Sequence, residues 1–280
     1  MKKSILLWLI AFVLTVITAV YQRLTGPTYP VTGEVIINSE VVKYKLDRTH
    51  GGEGDHPIEI SVDDETICGE LLWKRNKTND EWTSIEMTRQ DKKLVASLPH
   101  QPPAGKLVYH IILQNDDDEV VVLPEKGEVI IRFKGDVPIY FLIPHIIFIF
   151  GAMLLSTRTG LEYFNEGKKF KPLTILTFVF VIIGGFILGP IIQYYAFGAF
   201  WTGFPFGHDL TDNKILVGFI GWLLALIALY KFKNPKRWIV FASILMFIIF
   251  LIPHSLLGSE LDYNELDNKT NSEIQSNAIE

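Results

Sequence analysis

Five apolar runs, residues 4–20, 137–156, 173–194, about 210–230 and 238–257, come near the ~20 residues that a helix needs to cross a bilayer. Runs of that length leave few choices. In hydrocarbon every main-chain N–H and C=O must find a partner inside the protein, and a helix supplies those partners within one segment. The spacing predicts a membrane α-helical bundle of five transmembrane helices, with a long segment inserted between the first and second. Composition agrees, since 49% of the 280 residues are hydrophobic, more than an ordinary soluble surface accommodates alongside a positive mean hydropathy.

Orientation follows from the basic residues. Lys2 and Lys3 precede the first run, Arg158, Lys168, Lys169 and Lys171 lie between the second and third, and Lys231, Lys233, Lys236 and Arg237 lie between the fourth and fifth. Short loops rich in lysine and arginine stay cytoplasmic. A multi-pass protein of a cell inner membrane is expected, with its N-terminus inside and its C-terminus outside. Residues 195–213 contain no lysine or arginine, and the tail after residue 257 has only Lys269. The first run carries a charged start but is followed by Tyr21-Gln22-Arg23-Leu24 with no small-residue cleavage signature, so it reads as an uncleaved anchor. No basic stripe lies outside the cytoplasmic loops, which gives no reason to expect nucleic acid as a partner.

The expected organisation is an anchor helix over 1–22, an exported domain over 23–136, a four-helix region over 137–257 with an aromatic outer loop at 195–213, and a polar, largely disordered tail over 258–280. Within the exported domain, apolar and polar residues alternate at 34–37, 41–46, 58–62, 68–74, 93–98, 106–113, 119–123 and 128–133, separated by turn residues. That count and spacing predict an all-β sandwich. The strand near 107–113 is apolar on both faces, as a central strand should be. The single Cys68 excludes an intrachain disulfide, so the domain must rely on its core.

The stretch Leu98-Pro99-His100-Gln101-Pro102-Pro103-Ala104-Gly105-Lys106-Leu107-Val108-Tyr109 resembles a turn and the following strand of fibronectin type III and immunoglobulin-like modules. The resemblance covers the exported domain alone. It implies a sandwich fold in which Tyr109 closes a corner through its hydroxyl, and it implies a fold, not an activity.

Two constellations carry candidate chemistry. The pentapeptide Phe-Leu-Ile-Pro-His occurs at 141–145 and again at 250–254, each time inside an apolar run. An ionisable residue in a membrane segment is a functional candidate, and each proline withdraws an N–H from the carbonyl four residues earlier, on Tyr140 and Ile249. With antiparallel helices, His145 and His254 fall in the outer half of the bilayer, near His208 in the aromatic loop. Those three histidines are candidate ligands for a haem or a transition metal. Asp209, Asp212 and Glu260 are candidate members of a proton path serving a quinone or proton-relay site. A structural role, with histidines bonded to carbonyls and Asp209 or Thr211 capping a helix, explains the same residues. The second constellation is the loop Thr49-His50-Gly51-Gly52-Glu53-Gly54-Asp55-His56, where His50, Glu53, Asp55 and His56 suit a transition metal and a plain polar turn suits them equally. His100 and His110 read as packing or surface residues.

The usual nucleotide-binding, serine-hydrolase and zinc-protease motifs are absent from the sequence, and its cytoplasmic loops are short, so enzymatic classes gain no support. The expected function is a membrane component whose outer pocket holds a haem or metal and whose exported domain docks a partner protein. The competing expectation is a scaffold or assembly factor with no cofactor.

Overall fold

The computed structural model describes residues 2–277. It divides into two units, one made of Met1–Pro27 and Val137–Ser259 and the other of Thr28–Asp136 and Glu260–Glu280.

The first unit is helical. It contains α1 (Lys2–Thr25), α2 (Ile139–Leu161) with a 3-10 turn at Glu162–Asn165, α3 (Phe170–Val181), a π-helical segment (Ile182–Leu188), α4 (Gly189–Phe197), α5 (Leu210–Lys231) and α6 (Lys236–Leu251). Among the described residues, four helical stretches are long and apolar enough to cross a membrane: Lys2–Thr25, Ile139–Asn165, Phe170–Phe197 and Leu210–Lys231. α2 lies against α1, α3 and α6, while α5 packs on α3 and α6. One buried cluster joins Ala152 and Met153 of α2, Phe170 of α3, Trp222 and Ala225 of α5, and Ala242 and Met246 of α6. Small residues at such contacts let helix backbones approach closely, which is how packing is gained where lipid is as apolar as the side chains.

The two proline-containing repeats behave differently. Pro144 stands inside α2, where it costs one hydrogen bond near the start of the helix. Pro253 stops α6, because the residue before a proline is driven out of the helical region: Ile252 is extended, with ψ 120. α6 is therefore 16 residues long, about 24 Å at the helical rise, and ends six residues before the limit its apolar run suggested. The Ile249 carbonyl is also not free, since the Ile252 N–H donates to it at 3.2 Å.

The π segment follows from Pro190. A proline within a helix clashes with the carbonyl four residues earlier, and a wider turn is one way to absorb that strain. It brings Gly184 and Gly185 into close contact with their neighbours: a Cβ on Gly184 would stand 3.1 Å from the Ile149 backbone nitrogen, and one on Gly185 2.6 Å from Ile215 Cγ2. The helices therefore pack closely at this glycine pair.

The second unit is built on β1 (Val31–Ile37), β2 (Glu40–Leu46), β3 (Thr49–Gly51), β4 (His56–Ser61), β5 (Cys68–Arg75), β6 (Thr83–Glu86), β7 (Thr88–Gln90), β8 (Lys93–Leu98), β9 (Lys106–Gln114), β10 (Val120–Leu123) and β11 (Val129–Lys134), followed by α7 (Tyr263–Asn277). β1 and β2 form a hairpin turned by Asn38 and Ser39, both at positive φ, the conformation that two-residue hairpin loops need. A six-stranded sheet runs β3-β11-β9-β5-β6, with β10 also on β9, and a three-stranded sheet runs β4-β8-β7. All eight expected strands are present. β3, β6 and β7 are additions of three or four residues, too short and polar to show an alternation.

β9 is the central strand that its two apolar faces predicted, flanked by β5 on one side and by β10 and β11 on the other. Leu107, Tyr109, Ile111 and Leu113 are fully buried in one cluster with Ile37, Leu46, Ile60, Leu94 and Phe133. The Tyr109 hydroxyl donates to the Asp47 carbonyl at 2.8 Å. A corner tyrosine in immunoglobulin-like modules bonds a few residues upstream, whereas this bond reaches back 62 residues.

The polar tail, expected to lack structure beyond its first turn, is helical from Tyr263 to Asn277. Local pattern did not reveal its anchors. Tyr263 is buried and its hydroxyl donates to Gln101 Oε1 at 2.9 Å, while Arg75 grips both Asp80 and Asp267. Burial pushes the Tyr263 hydroxyl up to about 12.

Candidate functional site

In the helical unit the polar side chains gather where α4 gives way to α5. Gly198 ends α4 in the left-handed conformation, with its N–H on the Tyr194 carbonyl at 2.8 Å, as helix C-termini commonly do. The chain then loops to Asp209, which caps α5 by accepting the Thr211 N–H at 2.7 Å. The other Asp209 oxygen accepts the N–H and hydroxyl of Ser259 at 2.7 and 2.8 Å. One turn into α5, Asp212 Oδ2 accepts the N–H groups of Thr202 and Gly203 at 2.7 and 3.0 Å. The Thr202 hydroxyl meets Gln193 at 2.5 Å and Ser259 at 2.9 Å. Both buried carboxylates are occupied by main-chain donors, so the arrangement pins the loop and the chain after α6 onto the start of α5.

The histidines of the sequence reading occupy different settings. His145 Nδ1 lies 3.0 Å from the Gly184 carbonyl. A carbonyl only accepts, so Nδ1 carries the proton and, in the neutral ring, Nε2 keeps its lone pair. The carbonyl belongs to the π segment, not to the turn loosened by Pro144. His254 lies past the end of α6 and is exposed, as is His208. Among the described residues no group of three or more His, Cys, Asp or Glu is arranged to hold a metal ion. Glu260 belongs to the second unit, where it bonds Asn76 and Lys77 at 2.6 Å each and stands 3.3 Å from Lys106. Burial raises its carboxyl, but Lys77, Lys106 and Asn76 bring it below the ordinary range.

In the loop before β4, the structure brings His50 and His56 together, with their Nδ1 atoms 3.1 Å apart. It does not bring the carboxylates with them. Asp55 accepts the His100 main-chain N–H at 2.8 Å and Glu53 is exposed. Burial, and then His50, lower the His56 imidazole from its ordinary value. His110 packs edge-on to Trp82 at 4.7 Å, the packing role expected of it.

Three polar groups escaped sequence reasoning. Lys214 of α5, 7% exposed, donates to the Ile252 carbonyl at 3.0 Å, and Gln22 of α1 donates to the Phe250 carbonyl. Together they satisfy carbonyls at the end of α6, where cations also suit the helix dipole. The third is an ion pair. Arg158 and Glu162, both at 0% side-chain exposure, meet at 2.7 Å. Arg158 also reaches Ser4 at 3.3 Å and stands 5.5 Å from the Trp8 ring, while Glu162 accepts from Asn165 and the Lys169 N–H at 3.0 Å each. Nearby, Thr159 and Thr177 hydroxyls are 3.2 Å apart and Ser243 donates to the Ser156 carbonyl at 2.8 Å. The available signal was the four-residue spacing of Arg158 and Glu162, obscured because the apolar run ends at Ser156.

Comparison of the chain with protein-family models and with curated proteins gives no match.

Proposed function

We propose that this chain is a non-enzymatic membrane scaffold that presents its β domain to a partner protein on the outer face of a cell membrane. In this reading α6 and the turn after it complete a fifth crossing, the N-terminus is cytoplasmic, and the β domain is an immunoglobulin-like sandwich lying outside with the C-terminal helix. The observation that carries it is how the polar groups flagged as a ligand site are spent: His145 on Gly184, Asp209 on Thr211 and Ser259, and Asp212 on Thr202 and Gly203. Each ties a side chain to main-chain groups of the helical unit.

A second reading, in which His145 ligates a haem or metal, is favoured by one detail. A ligating imidazole usually donates its other N–H to a carbonyl or carboxylate, and His145 does so to Gly184. An absorption spectrum, oxidised and reduced, on detergent-purified protein decides between them. The scaffold predicts no Soret band and no chromophore that depends on His145 or His254. A stoichiometric chromophore lost in His145→Ala would overturn it.

Topology has its own test. Cys68 is exposed and is the single cysteine of the chain, so a membrane-impermeant maleimide is expected to label intact cells or spheroplasts. Labelling only after lysis would reverse the orientation.

A further inference from the structure

We propose that His50 and His56 bind a divalent transition metal ion through their Nδ1 atoms, with water filling the remaining positions. The two nitrogens lie 3.1 Å apart. Two imidazole nitrogens that share an ion at about 2.0–2.1 Å must stand roughly 2.9 Å apart in square-planar or octahedral geometry and about 3.4 Å apart in tetrahedral geometry. The observed separation falls in that window.

The ring of His50 is also set for ligation. Its Nε2 lies 3.2 Å from the Gly54 carbonyl, which accepts only, so in the neutral ring Nδ1 is left with its lone pair. That is the arrangement by which an outer carbonyl orients a ligating imidazole. Gly54 receives His100 Nδ1 as well, at 3.1 Å, and its φ of +96 lets the loop fold back to present that carbonyl. Strand pairing also fixes the backbone under both rings. β3 pairs in parallel with β11, His50 opposite Phe133, and β4 pairs with β8, His56 opposite Leu98. The His50 ring meets Phe133 edge-on at 5.4 Å. His56 also lines an open pocket of about 200 Å³ with Lys45, Asp47 and Glu59.

The donor set selects the ion class. Imidazole nitrogens suit copper(II), nickel(II) and zinc(II) and have little affinity for magnesium or calcium. With no third His, Cys, Asp or Glu joining among the described residues, the ion is exchangeable and not a closed structural centre. Without metal the same geometry is a proton-sharing pair, His56 Nδ1–H donating to His50 Nδ1.

The test is a copper(II) titration of the full-length protein in detergent, followed by electron paramagnetic resonance. One equivalent with hyperfine structure from two nitrogens is expected. His50→Ala should weaken binding by roughly tenfold or more, at least the loss that follows from disturbing a ligand's outer partner. His145→Ala should leave it unchanged, which separates this site from any ligand of the helical unit. Because His56 is buried, His56→Ala is read only alongside circular dichroism that matches the wild type, and His50→Gln serves as the second variant. Equal binding by wild type and both His50 variants would overturn the proposal and leave the proton-sharing pair.

Discussion

Arg158→Ala is expected to destabilise the helical unit by about 3–5 kcal/mol, the usual consequence of stripping one partner from a buried ion pair. Arg158 and Glu162 are both fully buried and 2.7 Å apart. Removing the guanidinium leaves the Glu162 carboxylate with only Asn165 and the Lys169 N–H as donors, too few to replace its lost hydration. α1 should loosen as well, because Arg158 contacts both Ser4 and Trp8. Replacing both charges, as in Arg158→Met with Glu162→Leu, should recover most of the loss, since a well-packed apolar pair is often as stable as the ions it replaces. Thermal unfolding in detergent measures the first effect, and amide exchange over residues 4–8 measures the second. A single variant as stable as the wild type would show that the pair contributes nothing to the packing of α1 on α2.

Local pattern and long-range pairing account for what the sequence does and does not reveal. Apolar length marks α1, α2, the run from α3 to α4, and α5, because bilayer spanning is a property of one segment. The alternation in β2, where Val42, Tyr44 and Leu46 face inward, is equally local, and so is the doubly apolar β9. The misplaced ends have a different origin. α2 runs on through Arg158 because its charge meets Glu162 one turn later, and α6 stops at Leu251 because Pro253 outweighs the apolar run around it. α7 looks featureless in composition, yet it is anchored by Tyr263, by Asp267 on Arg75 and, just before it, by Glu260 on Lys77. Those partners lie far back in the chain.

The candidate sites divide along the same line. Residue types singled out His145 as a candidate ligand and Asp209 and Asp212 as candidate members of a proton path, while the partners these groups meet in the fold depend on a π segment and a loop that periodicity does not encode. In the glycine-rich loop, sequence grouped His50 and His56 with Glu53 and Asp55 by proximity. Strand pairing instead brings the two imidazoles together and turns Asp55 towards His100. The missing information was the parallel pairing of β3 with β11.

Tyr109 offers the sharpest test of the β unit. Tyr109→Ala is expected to cost about 3–5 kcal/mol, the range for emptying a large buried aromatic site, because the residue is fully buried on the central strand. Tyr109→Phe keeps the ring and leaves the Asp47 carbonyl without the hydroxyl at 2.8 Å, a loss of about 1–3 kcal/mol if that carbonyl stays dry. Burial raises the Tyr109 hydroxyl above its ordinary value, with the Asp47 charge adding to the shift, so it remains a protonated donor throughout the neutral range and the difference between the variants should not change with pH there. The bond ties β9 to the link between β2 and β3, and β3 carries His50. The Phe variant should therefore raise amide exchange over residues 47–51 while β9 itself stays protected. Chemical denaturation with two-state analysis separates the two losses. A Phe variant indistinguishable from the wild type in both stability and exchange would remove the hydroxyl from any account of how this loop is held, and an Ala variant no worse than Phe would mean that the core closes over the missing ring.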